Sequence, residues 1–211
     1  MRKRYNLIFV PILFVLLVLA STPAASAAEA GPFYVGVLGG YVMPQDIKIE
    51  DGISEDINME NSWMVGTKFG YIIPTAKWLA PEIEYNYLAQ QDIDIAGVDG
   101  DFRAHNVMGN LLLRYPEGTF HPYIGFGIGW SWGKIKASGT VDGDDSIGSV
   151  DESDNAFAWQ LMAGVNFEIT PNMSVDIGYK YFQCKYTFGD DPSTDATSRN
   201  HMIIMGINFH F

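Results

Sequence analysis

The chain has 211 residues, and its 25 Asp and Glu outnumber 13 Lys and Arg to leave a formal net charge of −12. That balance excludes recognition of nucleic acid through a basic face. A single cysteine, Cys184, excludes an intrachain disulfide. Beyond the N-terminal segment no apolar run approaches the roughly 20 residues of a membrane-spanning helix.

Arg2, Lys3 and Arg4 precede an apolar run from Leu7 to Ala20 and the small residues Ala25-Ser26-Ala27. This is the order of a secretory signal peptide. The expectation is that residues 1–27 are cleaved and that residues 28–211 form one domain. The small residues from Ser21 to Ala30, with no stop-transfer charges after them, weigh against an uncleaved anchor. No Cys stands at the cleavage site, which argues against a lipoprotein.

Glycine and aromatic residues are abundant and long amphipathic helical patterns are missing, so the chain reads as all-β. Period-two alternation predicts eight strands: Phe33 to Met43, Ser62 to Ile73, Leu79 to Ile95, Arg103 to Tyr115, Pro122 to Ile135, Ala156 to Ile169, Met173 to Phe188 and Arg199 to Phe211. Each reaches the roughly 9–11 residues with which a tilted strand crosses a bilayer. Tight turns are predicted at Pro74 to Lys77, Pro116 to Thr119 and Thr170 to Asn172, all rich in turn formers. Longer loops are predicted at Pro44 to Asn61, Ala96 to Phe102, Lys136 to Asn155 and Gly189 to Ser198. Short turns at one rim and long loops at the other match the periplasmic and extracellular ends of an outer-membrane barrel. An even strand count then puts both termini on the periplasmic side.

The long loops collect the acids, among them Glu50, Asp51, Glu55, Asp56, Asp99, Asp101, Asp142, Asp144, Asp145, Asp151, Glu152, Asp154, Asp190, Asp191 and Asp195. A solvated surface is the favoured reading. Divalent-cation binding beside lipopolysaccharide phosphates is the sharper one, but Asp142-Gly143-Asp144-Asp145 does not follow a calcium-loop pattern. No metal or cofactor site is expected.

Phasing the strands separates two faces. The outward set includes Ile83, Tyr85, Tyr87, Val107, Leu111, Leu113, Ile124, Phe126, Ile128, Trp130, Trp132, Phe157, Trp159, Leu161, Val165, Phe167, Val175, Ile177, Tyr179 and Tyr181. It is too bulky for the interior of eight strands. The opposite set carries Gly125, Gly127, Gly129 and Gly133, a stripe expected to leave room for side chains from across the lumen. It also carries Lys68, Glu82, Glu84, Arg114, Glu168, Asp176 and Lys180. A charge facing lipid at mid-depth costs roughly 2–4 kcal/mol for Arg or Lys, so these seven are read as a paired lumen network. A structural plug is favoured over an ion path. Tyr71, Trp78, Tyr115, Trp130, Trp132, Trp159 and Tyr181 are candidates for interfacial girdles.

The last strand places Ile203, Met205, Ile207, Phe209 and Phe211 on one face, with Gly206, Asn208 and His210 on the other. Gly206, Phe209 and the terminal Phe211 look like the C-terminal assembly signal of bacterial outer-membrane proteins. With Phe33 to Tyr41, His121 to Gly129 and Ala163 to Tyr181, they make the chain similar to the eight-stranded outer-membrane barrel superfamily: opacity-type surface proteins and the barrel of the outer-membrane protein A family. The resemblance implies an eight-stranded antiparallel up-and-down transmembrane barrel without cofactor, working as a monomer. Its implied partners are outer-membrane lipids, lipopolysaccharide and the barrel-assembly machinery. No peptidoglycan-binding domain follows Phe211, so that part of the outer-membrane protein A role is not carried over.

Three functions are open on the sequence: a structural or surface-interaction barrel, a small porin or hydrophobic-solute channel like the outer-membrane protein W family, and a barrel lipid hydrolase or protease. The first leads, and no enzymatic activity is expected. The third would need His105 or His201 with Asp101, Asp195 or Ser198, and spacing alone brings none of them into hydrogen-bond reach. His121 and His210 fall at the opposite rim. Cys184 phases inward and reads as a buried structural thiol.

Overall fold

The computed structural model describes residues 31–45, 61–95, 98–139, 150–188 and 194–211. They form eight strands in chain order: β1 (Phe33–Pro44), β2 (Ser62–Tyr71), β3 (Leu79–Ile95), β4 (Val98–Arg114), β5 (Phe120–Gly139), β6 (Val150–Thr170), β7 (Met173–Phe188) and β8 (Thr194–His210). Each pairs antiparallel with the next, and β8 pairs with β1 to close the barrel. The seam runs from Tyr34↔His210 to Pro44↔Asn200. Just past it, Phe211 N donates to Phe33 O at 2.9 Å and Phe33 N to Phe211 O at 3.3 Å. Closure matters because hydrocarbon offers no partner to an edge strand's N–H and C=O groups.

The bulky face points outward. Ile83, Ile124, Phe126, Ile128, Trp130, Leu161, Ile203 and Met205 are all exposed, an apolar surface that suits lipid and not water. Aromatic residues gather at its two margins. At the rim holding the chain ends, the Phe33 ring lies 4.7 Å from Tyr71 and 5.9 Å from Phe69, and Phe120 meets Phe167 at 4.9 Å. At the long-loop rim, Trp63 meets Tyr87, Trp130 meets Phe157 and Trp159 meets Tyr181. Phe120 and Trp130 share one face of β5, and ten residues of tilted strand between them span about 25 Å, the height of a lipid-facing band.

At the long-loop rim four strands outrun the sequence expectation by four to six residues. β4 begins at Val98, β5 runs to Gly139, β6 begins at Val150 and β8 begins at Thr194. The described parts of the expected loops 96–102, 136–155 and 189–198 are therefore strand, and Asp99, Asp101, Asp151, Glu152, Asp154 and Asp195 belong to strands. Asp94 faces Asp99 and Asp92 faces Asp101 across the β3–β4 ladder. Backbone pairing needs no apolar alternation once strands leave the lipid, so side-chain pattern underestimates their length. The 21 residues of β6 reach about 50 Å along a tilted axis, well beyond the hydrocarbon. At the opposite rim β2 ends at Tyr71 and β4 at Arg114, slightly short of expectation. Residues 1–27, Glu50, Asp51, Glu55, Asp56, Asp142, Asp144, Asp145, Asp190 and Asp191 lie outside the described residues.

The glycine stripe of β5 corrects a second expectation. Its room is taken by the two flanking strands, not by side chains from across the lumen. A Cβ on Gly127 would sit 2.1 Å from Asn110 Oδ1, and one on Gly125 would sit 2.5 Å from Leu112 Cδ2. A Cβ on Gly129 would come within 2.0 Å of the Val107 carbonyl oxygen. On the lipid face, a Cβ on Gly109 has no neighbour nearer than 3.8 Å. Gly129→Ala should therefore lower unfolding stability by about 1–3 kcal/mol, while Gly109→Ala changes it by about 0.5 kcal/mol or less. Urea titration of the heat-modifiable gel band measures both; equal effects would show that the stripe is not packed.

Candidate functional site

Side chains on the inner face fill the barrel in layers. At mid-barrel lie Lys68, Glu82, Glu84, Asp176 and Lys180, all buried. Lys180 on β7 pairs with Glu84 on β3, four strands away around an eight-strand ring, so the pair crosses the full bore. Lys68 on β2 pairs with Asp176 on β7 and lies 3.5 Å from Glu82. Its path runs beside Gly36, where a Cβ would come within 3.1 Å of the Lys68 Cε. A larger residue at 36 would push the lysine off its route.

Three carboxylates here face two ammonium groups, and neutral donors make up the difference. Tyr34 donates to Glu82 at 2.8 Å and Tyr123 to Asp176 at 2.9 Å. Asn110 donates to Glu82 at 3.0 Å and Glu84 at 3.2 Å, and Asn86 donates to Glu84 at 3.0 Å. Gln160 donates to Asn110 at 2.8 Å, and Asn106 to Asn86 at 2.7 Å. The connected network draws on every strand from β1 to β7. Buried charges persist only when paired and hydrogen-bonded in this way.

The other two charges of the expected set sit elsewhere. Arg114 and Glu168 lie 4.0 Å apart at the chain-end rim, where His121 Nε2 is 2.7 Å from Glu168. His121 Nδ1 lies 2.8 Å from the Tyr115 carbonyl oxygen, which accepts from it. His210 Nε2 is 2.9 Å from Ser174 Oγ. Arg114, His121 and His210 line a small cavity of about 30 Å³ together with Tyr34, Tyr123 and Asn208. That volume suits one or two waters, not an organic substrate.

On the long-loop side of the charges an apolar cluster fills much of the lumen, interleaved with buried Ser62, Asn106, Ser131 and Asn200. Leu38, Val42, Met64, Leu88, Met108, Phe182, Met202 and Ile204 pack together with Ala104, Ala156, Ala158 and Cys184. Sequence reasoning named little of this layer, nor Tyr34, Tyr123, Asn86, Asn106, Asn110 and Gln160. The signal was present: Asn86, Asn106, Asn110 and Gln160 share strand parity with a charged lumen residue, and Tyr34 and Tyr123 share it with the inward glycines Gly36 and Gly125.

The rim histidines sit in aromatic clusters on the outer wall. His105 Nδ1 lies 2.8 Å from the Tyr85 hydroxyl, with the Tyr87 ring at 4.9 Å. His201 contacts the Tyr179 hydroxyl and the Tyr181 ring. Among the described residues neither meets a carboxylate, and no group of three potential metal ligands occurs. The side chains of Asp101 and Asp195 lie outside the described residues. Gly206 faces inward, with Phe209 and the exposed Phe211 on the lipid side.

Removing one partner of a buried pair strands the other's charge, at a cost of roughly 3–5 kcal/mol. Lys180→Met should show that loss in urea unfolding, and adding Glu84→Gln should restore at least half of it. Independent, additive losses would mean that the pair carries no coupling.

Comparison with known proteins agrees with this architecture. The sequence model of the outer membrane protein beta-barrel domain matches residues 12–211. Proteins described as uncharacterized from Brucella abortus and Brucella melitensis are 33% identical over 86 residues, covering 36% of this chain and 28% of theirs. The match thus spans under a third of the length of those relatives. The crystal structure of Neisserial surface protein A superposes with a TM-score of 0.56 at 17% identity, covering 87% of this chain and 100% of that one. A major outer membrane protein from Thermus thermophilus gives 0.52 at 12% identity, covering 85% and 99%. At those identities the likeness shows the fold alone. With eight strands closed around a packed lumen, the chain belongs to the outer membrane protein beta-barrel domain family and is an eight-stranded barrel of the bacterial outer membrane.

Proposed function

We propose that this barrel is a non-conducting, non-enzymatic surface protein whose work is done by hairpins projecting beyond the membrane. The observation that carries the reading is the stacked filling of the lumen. A cross-bore ion-pair layer lies against an apolar layer in which Val42, Met64, Leu88 and Met108 are at most 2% exposed. An ion crossing that layer would shed its water against close-packed methionine and leucine, with only the scattered amides and hydroxyls of Ser62, Asn106, Ser131 and Asn200 beside it. What is left to interact is the long-loop end, where strands outrun the bilayer. The chain-end rim faces the periplasm in this reading, and the acidic hairpins face outward.

Planar-bilayer recordings should show no reproducible conductance from the folded protein. Steady single-channel steps that shift on Glu84→Gln would replace this reading with transport. Orientation is tested separately: an epitope inserted between Gly143 and Asp144 should be reached by antibody on intact cells. His105→Ala and His201→Ala should leave lipid A structure and surface proteolysis unchanged, and loss of either would install the enzyme reading.

A further inference from the structure

At the chain-end rim one buried histidine is held between two acceptors. His121 Nδ1 lies 2.8 Å from the Tyr115 carbonyl oxygen, and Nε2 lies 2.7 Å from Glu168 Oε1. A carbonyl oxygen only accepts, so Nδ1 carries a proton. In a neutral imidazole Nε2 is then a bare lone pair, and an ionised carboxylate at that distance repels it. The short contact therefore needs one further proton. It can sit as imidazolium against carboxylate or as imidazole against carboxylic acid, so it belongs to the couple and to neither residue alone.

The surroundings fit a couple that holds one proton. Among the described strand residues the inward-facing charges are Glu82, Glu84, Glu168 and Asp176 against Lys68, Arg114 and Lys180, and that proton brings them into balance. From β4, Arg114 Nη2 lies 4.0 Å from the same Glu168 oxygen. Lys68 of β2, Asp176 of β7, His210 of β8 and the phenols of Tyr34 and Tyr123 line the cavity beside the ring. In the adjoining turn, Glu117 accepts from the Tyr115 hydroxyl at 3.1 Å. Glu168 thus has two cationic partners, one in contact and one a short swing away, and its side chain is 35% exposed, which leaves room to move. The β6–β7 ladder shifts register between Glu168 and Thr170, and such irregularities re-aim side chains.

We propose that the His121–Glu168 couple is a proton-operated clasp between two neighbouring turns of the chain-end rim. Tyr115 opens onto the turn at Pro116 to Thr119, and Glu168 stands two residues before the one at Thr170 to Asn172. With its proton the couple ties them together. As pH rises and the proton leaves, lone pair and carboxylate repel, Glu168 swings to Arg114, and the clasp opens. The clasp is thus closed at neutral pH and lost on alkalinisation. Two backbone bonds then lose their brace, Tyr115 N to Pro122 O and Glu168 N to Thr119 O, both 2.9 Å.

Nuclear magnetic resonance of the full folded chain in lipid nanodiscs, with ¹⁵N-histidine and ¹³C-glutamate, reads the shared proton. At neutral pH a free imidazole is mostly neutral; here either two protonated nitrogens on His121 or a protonated Glu168 carboxyl should appear. Raising the pH by about two units should cost the Tyr115 and Glu168 amides about tenfold in hydrogen-exchange protection beyond the chemical effect of base. Glu168→Gln keeps a neutral donor for Nε2, and His121→Asn has no proton to lose. Both should stay heat-modifiable on gels and show protection that no longer depends on pH. A bare Nε2 beside an ionised Glu168 at neutral pH would overturn the shared proton. Protection that is independent of pH in the unsubstituted chain, or that falls equally in both variants, would overturn the clasp.

Discussion

Hydrocarbon gives a peptide group nothing to bond with, and the rest of this structure follows from that. Every strand must find two neighbours, so the sheet closes at the β1–β8 seam. Closure fixes an inside and an outside, and period-two alternation then assigns each side chain to one of them. The bulky residues have to go out, because eight strands enclose a bore only wide enough for side chains to fill. Charges have to go in, and once inside they have to be paired. One solvent constraint thus sets topology, composition of both faces and the presence of an ionic core.

That ionic core inverts the usual logic of a soluble protein, whose centre is apolar and whose charges are wet. Here the charged layer is the dry one, and its stability depends on geometry more than on net attraction. The hydroxyls of Tyr34 and Tyr123 and the amide of Asn110 matter as much as the lysines, since they occupy carboxylate lone pairs that no ammonium reaches. The apolar layer on the long-loop side then separates the charges from that end of the bore. Polar and apolar fillings together make the lumen a core.

The architecture was legible in the sequence because its signals are local: alternation, turn formers such as Pro116 to Thr119, and a terminal strand with one aromatic-rich face. Which residues share the inner face was legible for the same reason. Which carboxylate meets which amine was not. Lys180 and Glu84 are 96 residues apart, and their meeting depends on the stagger of the closed sheet, which no single strand records. Hairpin length was misjudged at Val98, Gly139, Val150 and Thr194 because side-chain pattern carries no information about backbone pairing in water. The apolar lumen layer was overlooked because a Met or Leu of inward parity looks unremarkable beside a lysine.

The pair that spans the bore has a kinetic meaning. Lys180 and Glu84 stand on opposite walls, so no hairpin, and no half-curled sheet, can bring them together. The contact forms only as the barrel rounds up, after most of the ladder is in place. Interactions absent from the folding transition state act almost wholly on the unfolding rate. The cross-bore pair is therefore a latch: it does little to help the protein assemble, and it slows its escape from the assembled state.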